Sequence, residues 1–253
     1  MSTNFLDWIK EFSITPRRVI HIGAHLVEER FDYQASAFEP VIWVESNSNL
    51  VSESKILLRN FPNQNIYEGT ISNQSGLTID FYIAGEEESS SSILKPHLIQ
   101  ASHPKVEVTS IERKVTITLD DLLKNIGLDY GIPTILVLDI QGSEIDALRG
   151  GLKILKSVNY IFSEISLREL YKNILTFDLF VKEVSDLGFT LLCAEINETT
   201  GWGEGLFMRK GDQIAAGTPR IQFTTNGAAI GTKVRTLFVR LKIPFRYWSW
   251  FKR

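Results

Sequence analysis

Short continuous runs of apolar residues recur along this chain, separated by segments whose apolar residues return every three or four positions. The runs are Val19–Ile22, Val41–Glu45, the weaker Asn65–Thr70, Thr134–Ile140 and Asn159–Ile165. Short β-rich runs without polar alternation suit strands buried on both faces, as in a parallel sheet. The segments between them, Ser48–Asn60, Ser143–Lys156 and Asp178–Leu187, carry helical spacing, with Ile145, Leu148, Leu152 and Leu155 as the clearest row. Strands alternating with helices predict a doubly wound, mostly parallel α/β sheet. Leu77–Ala84 and Val115–Leu119 instead alternate apolar and polar residues and read as additional strands. The polar stretch Gly85–Lys114 between them, serine-rich at Ser89–Ser92, reads as a long loop over the sheet. Phe189–Ile196 and Gly205–Arg209 flank a polar turn holding Gly201 and Gly203, and read as a closing hairpin.

From about Gly211 the design changes. Val234, Leu237, Phe238 and Leu241 fall at helical spacing, Pro244 ends that helix, and FRYWSWFKR mixes aromatic with basic side chains. The expected division is a domain over residues 1–210 and a basic-aromatic tail over residues 211–253. Charge sharpens it. Lys233–Arg253 holds seven basic residues and no acidic one, so the other 232 residues carry 20 basic against 30 acidic. An acidic body speaks against nucleic acid as a partner, whereas the tail suits an anionic membrane surface.

The chain has 253 residues, 43% of them hydrophobic, which is enough for a sizeable core. Cys193 is its single cysteine, lies in an apolar run and reads as a small buried hydrophobe. The first residues, MSTNFLDWIKEF, carry Asp7 and Glu11 where a signal peptide needs an uninterrupted apolar core. No apolar run of about 18 residues occurs. The expectation is therefore a cytoplasmic protein, peripheral at most to the inner face of a membrane.

Ligands of an open parallel sheet bind beyond the carboxyl ends of its strands. That directs attention to Gly23–Glu29, Glu45–Asn47, Thr70–Ser72, Asp139–Gly142 and Glu164–Ser166. Gly23 follows a strand and lets the backbone approach a ligand. Neither a dinucleotide glycine fingerprint nor a P-loop lysine accompanies it. Glu45 ends the second strand, where a carboxylate can accept both hydroxyls of an adenosine ribose. Nicotinamide enzymes place an acid similarly, so Glu45 alone does not choose the cofactor. Asp139 and Glu164 end two further strands and could take a proton, hold a substrate hydroxyl, bind a divalent metal between them, or merely cap the next helix. His21 falls inside a strand and reads as a satisfied core histidine. His25 lies in the turn after it, and His97 and His103 lie in the long loop. Their spacing matches no zinc signature, and no metal ligand is assigned.

The order of motifs is more specific than any one of them. VIHIGAH, WVESN, TISNQSG, TLDDLL and LDIQGSEIDALRG succeed one another, and LDIQGSEIDALRG resembles the pattern D-x-[EQ]-G-x-E-x-x-x-L-x-G of the FkbM methyltransferases. SEISLRELYK and GWGEGLFMRK resemble later motifs of one branch of that family, and the likeness runs from about Val19 to Lys210. The resemblance implies a Rossmann-like, seven-strand sheet with a C-terminal antiparallel hairpin strand and S-adenosylmethionine as cofactor. It implies that Gly23, Ala24 and His25 line the methionine part, that Glu45 with Ser46 beside it holds the ribose, and that Thr70 and Ile71 flank the adenine. Asp139 would face the reacting centre, and Ser91 and Ser92 match a serine pair near cofactor or substrate. The family's first motif often reads D-x-G-A-N-x-G; here His21 stands for the acid, and Leu26 and Val27 occupy the glycine-rich end.

The expected chemistry is in-line methyl transfer to a hydroxyl, with Asp139, Glu164 and His97 as candidate bases in that order. The expected acceptor is a sugar, a lipid-linked glycan or a related small molecule. Residues 233–253 would then dock the enzyme on the inner leaflet. The alternative is a catalytically degenerate methyltransferase fold that serves as a binding module in glycan assembly.

Overall fold

The computed structural model describes residues 4–85, 88–102, 106–214, 216–227 and 231–238. In chain order its strands are β1 (Arg18–Ile22), β2 (Val41–Glu45), β3 (Gln64–Glu68), β4 (Thr70–Ile71), β5 (Thr78–Ala84), β6 (Val108–Ile117), β7 (Thr134–Leu138), β8 (Val158–Ser166), β9 (Phe189–Asn197), β10 (Trp202–Arg209), β11 (Arg220–Gly227) and β12 (Gly231–Phe238). Its helices are α1 (Asn4–Glu11), α2 (Arg30–Ala35), α3 (Ser48–Leu57), α4 (Ile99–Ser102), α5 (Leu119–Asn125), α6 (Glu144–Arg149) and α7 (Phe177–Asp186).

The main sheet runs β12-β11-β9-β10-β8-β7-β1-β2-β3. Its middle is parallel: β1 pairs with β2 and β7, β2 with β3, and β7 with β8. Every residue of β1, β2 and β7 is buried, which is why these strands carry no polar alternation. One face packs Ile20, Ile22, Leu136 and Leu138 against Leu148 and Val184 of α6 and α7. The other packs Val19, Trp43 and Val137 against Phe5, Trp8 and Phe12 from the α1 region. Two helix starts are fixed by caps: Asn47 accepts from the Asn49 amide at 2.9 Å, and Thr118 from the Asp121 amide at 3.1 Å. Across the top lies a small sheet of order β4-β6-β5.

Seven strands, β3 to β9 in the sheet order, form the expected Rossmann-like unit, with β10 antiparallel between β8 and β9. Three expectations need correction. The strand expected over Val115–Leu119 is β6, which begins at Val108, and Leu119 opens α5 behind its Thr118 cap, so the loop is shorter than the spacing suggested. The main sheet has nine strands and continues past residue 210, because β11 pairs in parallel with β9 and Arg220 forms an ion pair with Glu11. The helix expected over Val234–Leu241 is the strand β12 as far as Phe238, with Val234 opposite Thr224 and Leu237 opposite Ile221. The free edge of β11 supplies backbone partners, and β-branched Thr232, Val234 and Thr236 suit an extended chain. Residues 239–253, including FRYWSWFKR, lie outside the described residues. Among those described, no helix is long and apolar enough to cross a membrane.

Candidate active site

The carboxyl ends of β1, β2 and β7 open into one cavity under the small sheet. Gly23, Ala24, His25, Glu45, Ser46, Ile71, Ser92 and Asp139 all line it, together with Leu50, Phe81 and Gln141. Gly23 has φ +88°, and a Cβ built on it would lie 1.7 Å from the Asp139 carbonyl oxygen, so the turn excludes any side chain there. The next turn residues keep the left-handed backbone without glycine: His25 has φ 43° and Val27 has φ 49°. Val27 stands where the family pattern has glycine. Its side chain is fully buried among α1 and β2 residues, and that packing offsets the backbone strain.

Glu45 is fixed at the mouth of β2. One carboxylate oxygen accepts the His25 amide at 3.0 Å and the other the Asn47 amide at 2.8 Å. Burial pushes its carboxyl above the usual range, against the pull of these amides. Ser46 donates to the Gly69 carbonyl at 3.2 Å, and Asn47 bonds Glu88 from the loop overhead.

The opposite wall holds a linked set of acids. Gln141, with φ 53°, donates its amide to Asp139 at 3.0 Å and to Glu164 at 2.8 Å. The Tyr171 hydroxyl lies 3.1 Å from the Gln141 amide oxygen and donates to the Ser90 carbonyl at 2.9 Å. Asp139 faces the cavity, while Glu164 sits behind it and is reached through Gln141. Burial and then the charge of Asp139 push the Glu164 carboxyl well above its ordinary value. Glu144, 4% exposed, accepts the Ile140 and Gly142 amides, and burial raises its carboxyl to about 7.

The remaining predicted residues are placed differently from one another. Ile71 is in the wall, but Thr70 points into a separate depression with Lys114 and Asp121. Ser92 lines the cavity, yet its hydroxyl donates to the Gln141 carbonyl at 2.9 Å and accepts the Leu94 amide, so it latches the loop. Ser91 likewise donates to the Glu88 carbonyl. His97 is exposed and does not line the cavity; its backbone amide bonds the Leu170 carbonyl, which holds it on the outer surface, away from Asp139. His103 lies outside the described residues. Among the described residues no three His, Cys, Asp or Glu side chains gather to hold a metal. Between Asp139 and Glu164, where a bridging metal was an option, the Gln141 amide donates to both. Sequence reasoning passed over Gln141, Glu144 and Tyr171, although the first two sit inside LDIQGSE, the most specific motif.

An S-adenosylmethionine fits this donor set. Glu45 offers an immobilised carboxylate for ribose hydroxyls, and Leu50, Ile71 and Phe81 offer apolar surface for a purine. The model of the FkbM methyltransferase domain matches residues 21–191 of the chain. The protein belongs to the FkbM methyltransferase family. It is an S-adenosylmethionine-dependent methyltransferase. No curated protein matches this FkbM enzyme. Solved structures similar to it include the magnesium protoporphyrin IX methyltransferase ChlM of Synechocystis PCC 6803 with bound S-adenosylhomocysteine, at 10% identity, TM-score 0.47, covering 82% of this chain and 81% of that one. A TehB-like SAM-dependent methyltransferase of Corynebacterium glutamicum aligns at 10% identity and TM-score 0.39, covering 78% and 84%. The methyltransferase domain of bacterial CtHen1-C aligns at 11% identity and TM-score 0.44, covering 81% and 95%.

Proposed function

We propose that this FkbM enzyme is an O-methyltransferase whose acceptor is a hydroxyl of a sugar, a glycan or a related small molecule. The observation that carries the reading is Asp139 in the cavity wall, tied through the Gln141 amide to a second carboxyl, that of Glu164. Bound S-adenosylmethionine supplies an already activated methyl carbon. The chain then has to align and deprotonate an acceptor. Alignment of reactants is worth roughly 7–11 kcal/mol. The acceptor oxygen would bond to the methyl carbon as the methyl–sulfur bond breaks and S-adenosylhomocysteine leaves, and the acceptor's proton would pass to Asp139. Gln141 holds Asp139 in place, and burial together with the charge of Asp139 raises the proton affinity of Glu164 behind it.

The experiment is a mass-spectrometric screen of glycan precursors with S-adenosylmethionine, scored for an added CH₂ that survives alkali as an ether does. An alkali-labile ester or an N-methyl product would overturn the hydroxyl assignment. The basic tail at 233–253 supports a lipid-linked acceptor at an anionic inner leaflet. Co-sedimentation with anionic liposomes should be lost in a chain ending at Gly231; equal binding by both chains would sink that part of the proposal.

A further inference from the structure

His21 replaces the acid of the family pattern, and the structure leaves one of its atoms unused. The ring lies in the cavity wall, 2% exposed, and packs against Trp43 with centroids 4.8 Å apart. Nδ1 is 3.1 Å from the hydroxyl of the fully buried Tyr33. Nε2 is buried and has no hydrogen-bond partner among the described residues. Burial lowers the affinity of the ring for a second proton, against the charges of Glu29 and Asp139. The tautomer is set from the Tyr33 side. A buried phenol that only accepts would leave its own proton unpaired, so Tyr33 donates to Nδ1 and the single ring proton sits on Nε2. The cavity wall therefore presents a buried neutral N–H with nothing to receive it.

We infer that the His21 Nε2–H is the donor that receives the carboxylate of the cofactor's amino-acid end, making His21 the positioning residue for that end. The inference rests on the cavity being the S-adenosylmethionine site. Glu45, at the end of β2, would hold the ribose; β1 lies between β2 and β7, so a ligand reaching from Glu45 to Asp139 would pass the end of β1, where His21 lines the same cavity. Of the groups on that part of the cofactor, the carboxylate is the acceptor. An acid at position 21 would read the ammonium instead, so this chain holds the same ligand end by its opposite pole.

Calorimetry with S-adenosylhomocysteine and with 5′-deoxy-5′-methylthioadenosine tests this, because the second ligand keeps the adenosine and sulfur but has no amino-acid end. His21→Asn keeps an acceptor for Tyr33 and removes the donor at the Nε2 position. It should weaken S-adenosylhomocysteine about tenfold or more and leave methylthioadenosine within about twofold. His21→Phe carries the same expectation, and its unchanged methylthioadenosine binding would report an intact fold. Equal losses for both ligands, or no loss for S-adenosylhomocysteine, would overturn the role of His21 while leaving the cofactor site in place. Failure of the unaltered protein to bind either ligand would instead remove the cofactor reading and this inference with it.

Discussion

Glu45 and the Asp139–Glu164 pair are the same kind of side chain in the same kind of place, yet the fold treats them oppositely. Each acid stands at or just beyond the end of a strand in the main sheet. Glu45 receives two backbone amides from its own surroundings, and these hold both of its oxygens. It is a fixed acceptor, suited to binding. Asp139 and Glu164 share one side-chain amide, lie within hydrogen-bonding reach of each other, and Glu164 also faces the charge of Glu144. They are suited to moving a proton. A strand-end carboxylate thus becomes a binder or a base according to how many amides satisfy it and how close the next acid stands.

Breaking the reactive side should have the largest effect. Asp139→Asn should lower kcat about 10²–10⁴-fold while S-adenosylhomocysteine affinity moves less than about tenfold; the split between the two readouts separates proton transfer from binding. The carboxyl beside that wall sharpens the comparison by pH. Glu144 is raised from 4.5 to about 7 in the folded protein, chiefly by burial. The fold thus binds that proton more tightly than the unfolded chain does. Its contribution is full below about 4.5 and is lost as pH rises through about 7, a swing of about 3 kcal/mol at most. Glu144→Gln keeps an acceptor for the Ile140 and Gly142 amides, and urea midpoints of this variant should lose that part of the decline with pH.

Breaking the binding side should cost less. Glu45→Ala removes the carboxylate that accepts the His25 and Asn47 amides and that is proposed to hold the ribose, so S-adenosylhomocysteine affinity should fall by about 1–3 kcal/mol, measured by calorimetry, with a smaller change in kcat at saturation. The smallest effect should come from His97→Ala. Its ring is exposed outside the cavity, and kcat/KM should stay within about twofold; a loss above tenfold would return His97 to the reaction.

Much of the frame is legible without coordinates. Buried runs such as Val41–Glu45 match their strands because a strand covered on both faces must be apolar throughout. Gly23, Glu45 and Asp139 were legible because strand ends are where such sheets bind ligands. The spacing of Phe5, Trp8, Ile9 and Phe12 also encodes α1, a helix missed at the level of sequence. Periodicity misread β12, since Val234, Leu237 and Phe238 satisfy a helical row as well as a strand, and the neighbouring edge of β11 settles the matter.

By itself, the sequence determined the alternating sheet, the turn at Gly23, a carboxylate at the end of β2 and the family, since these rest on local pattern and on motif order. The tertiary structure decided what the polar atoms do. Gln141 bridges two acids because β7 and β8 lie side by side, His97 faces outward because its loop is pinned to Leu170, and His21 keeps one nitrogen free because Tyr33 from α2 takes the other. Hydrogen bonding and burial are pairwise properties of residues far apart in the chain, so no local pattern encodes them.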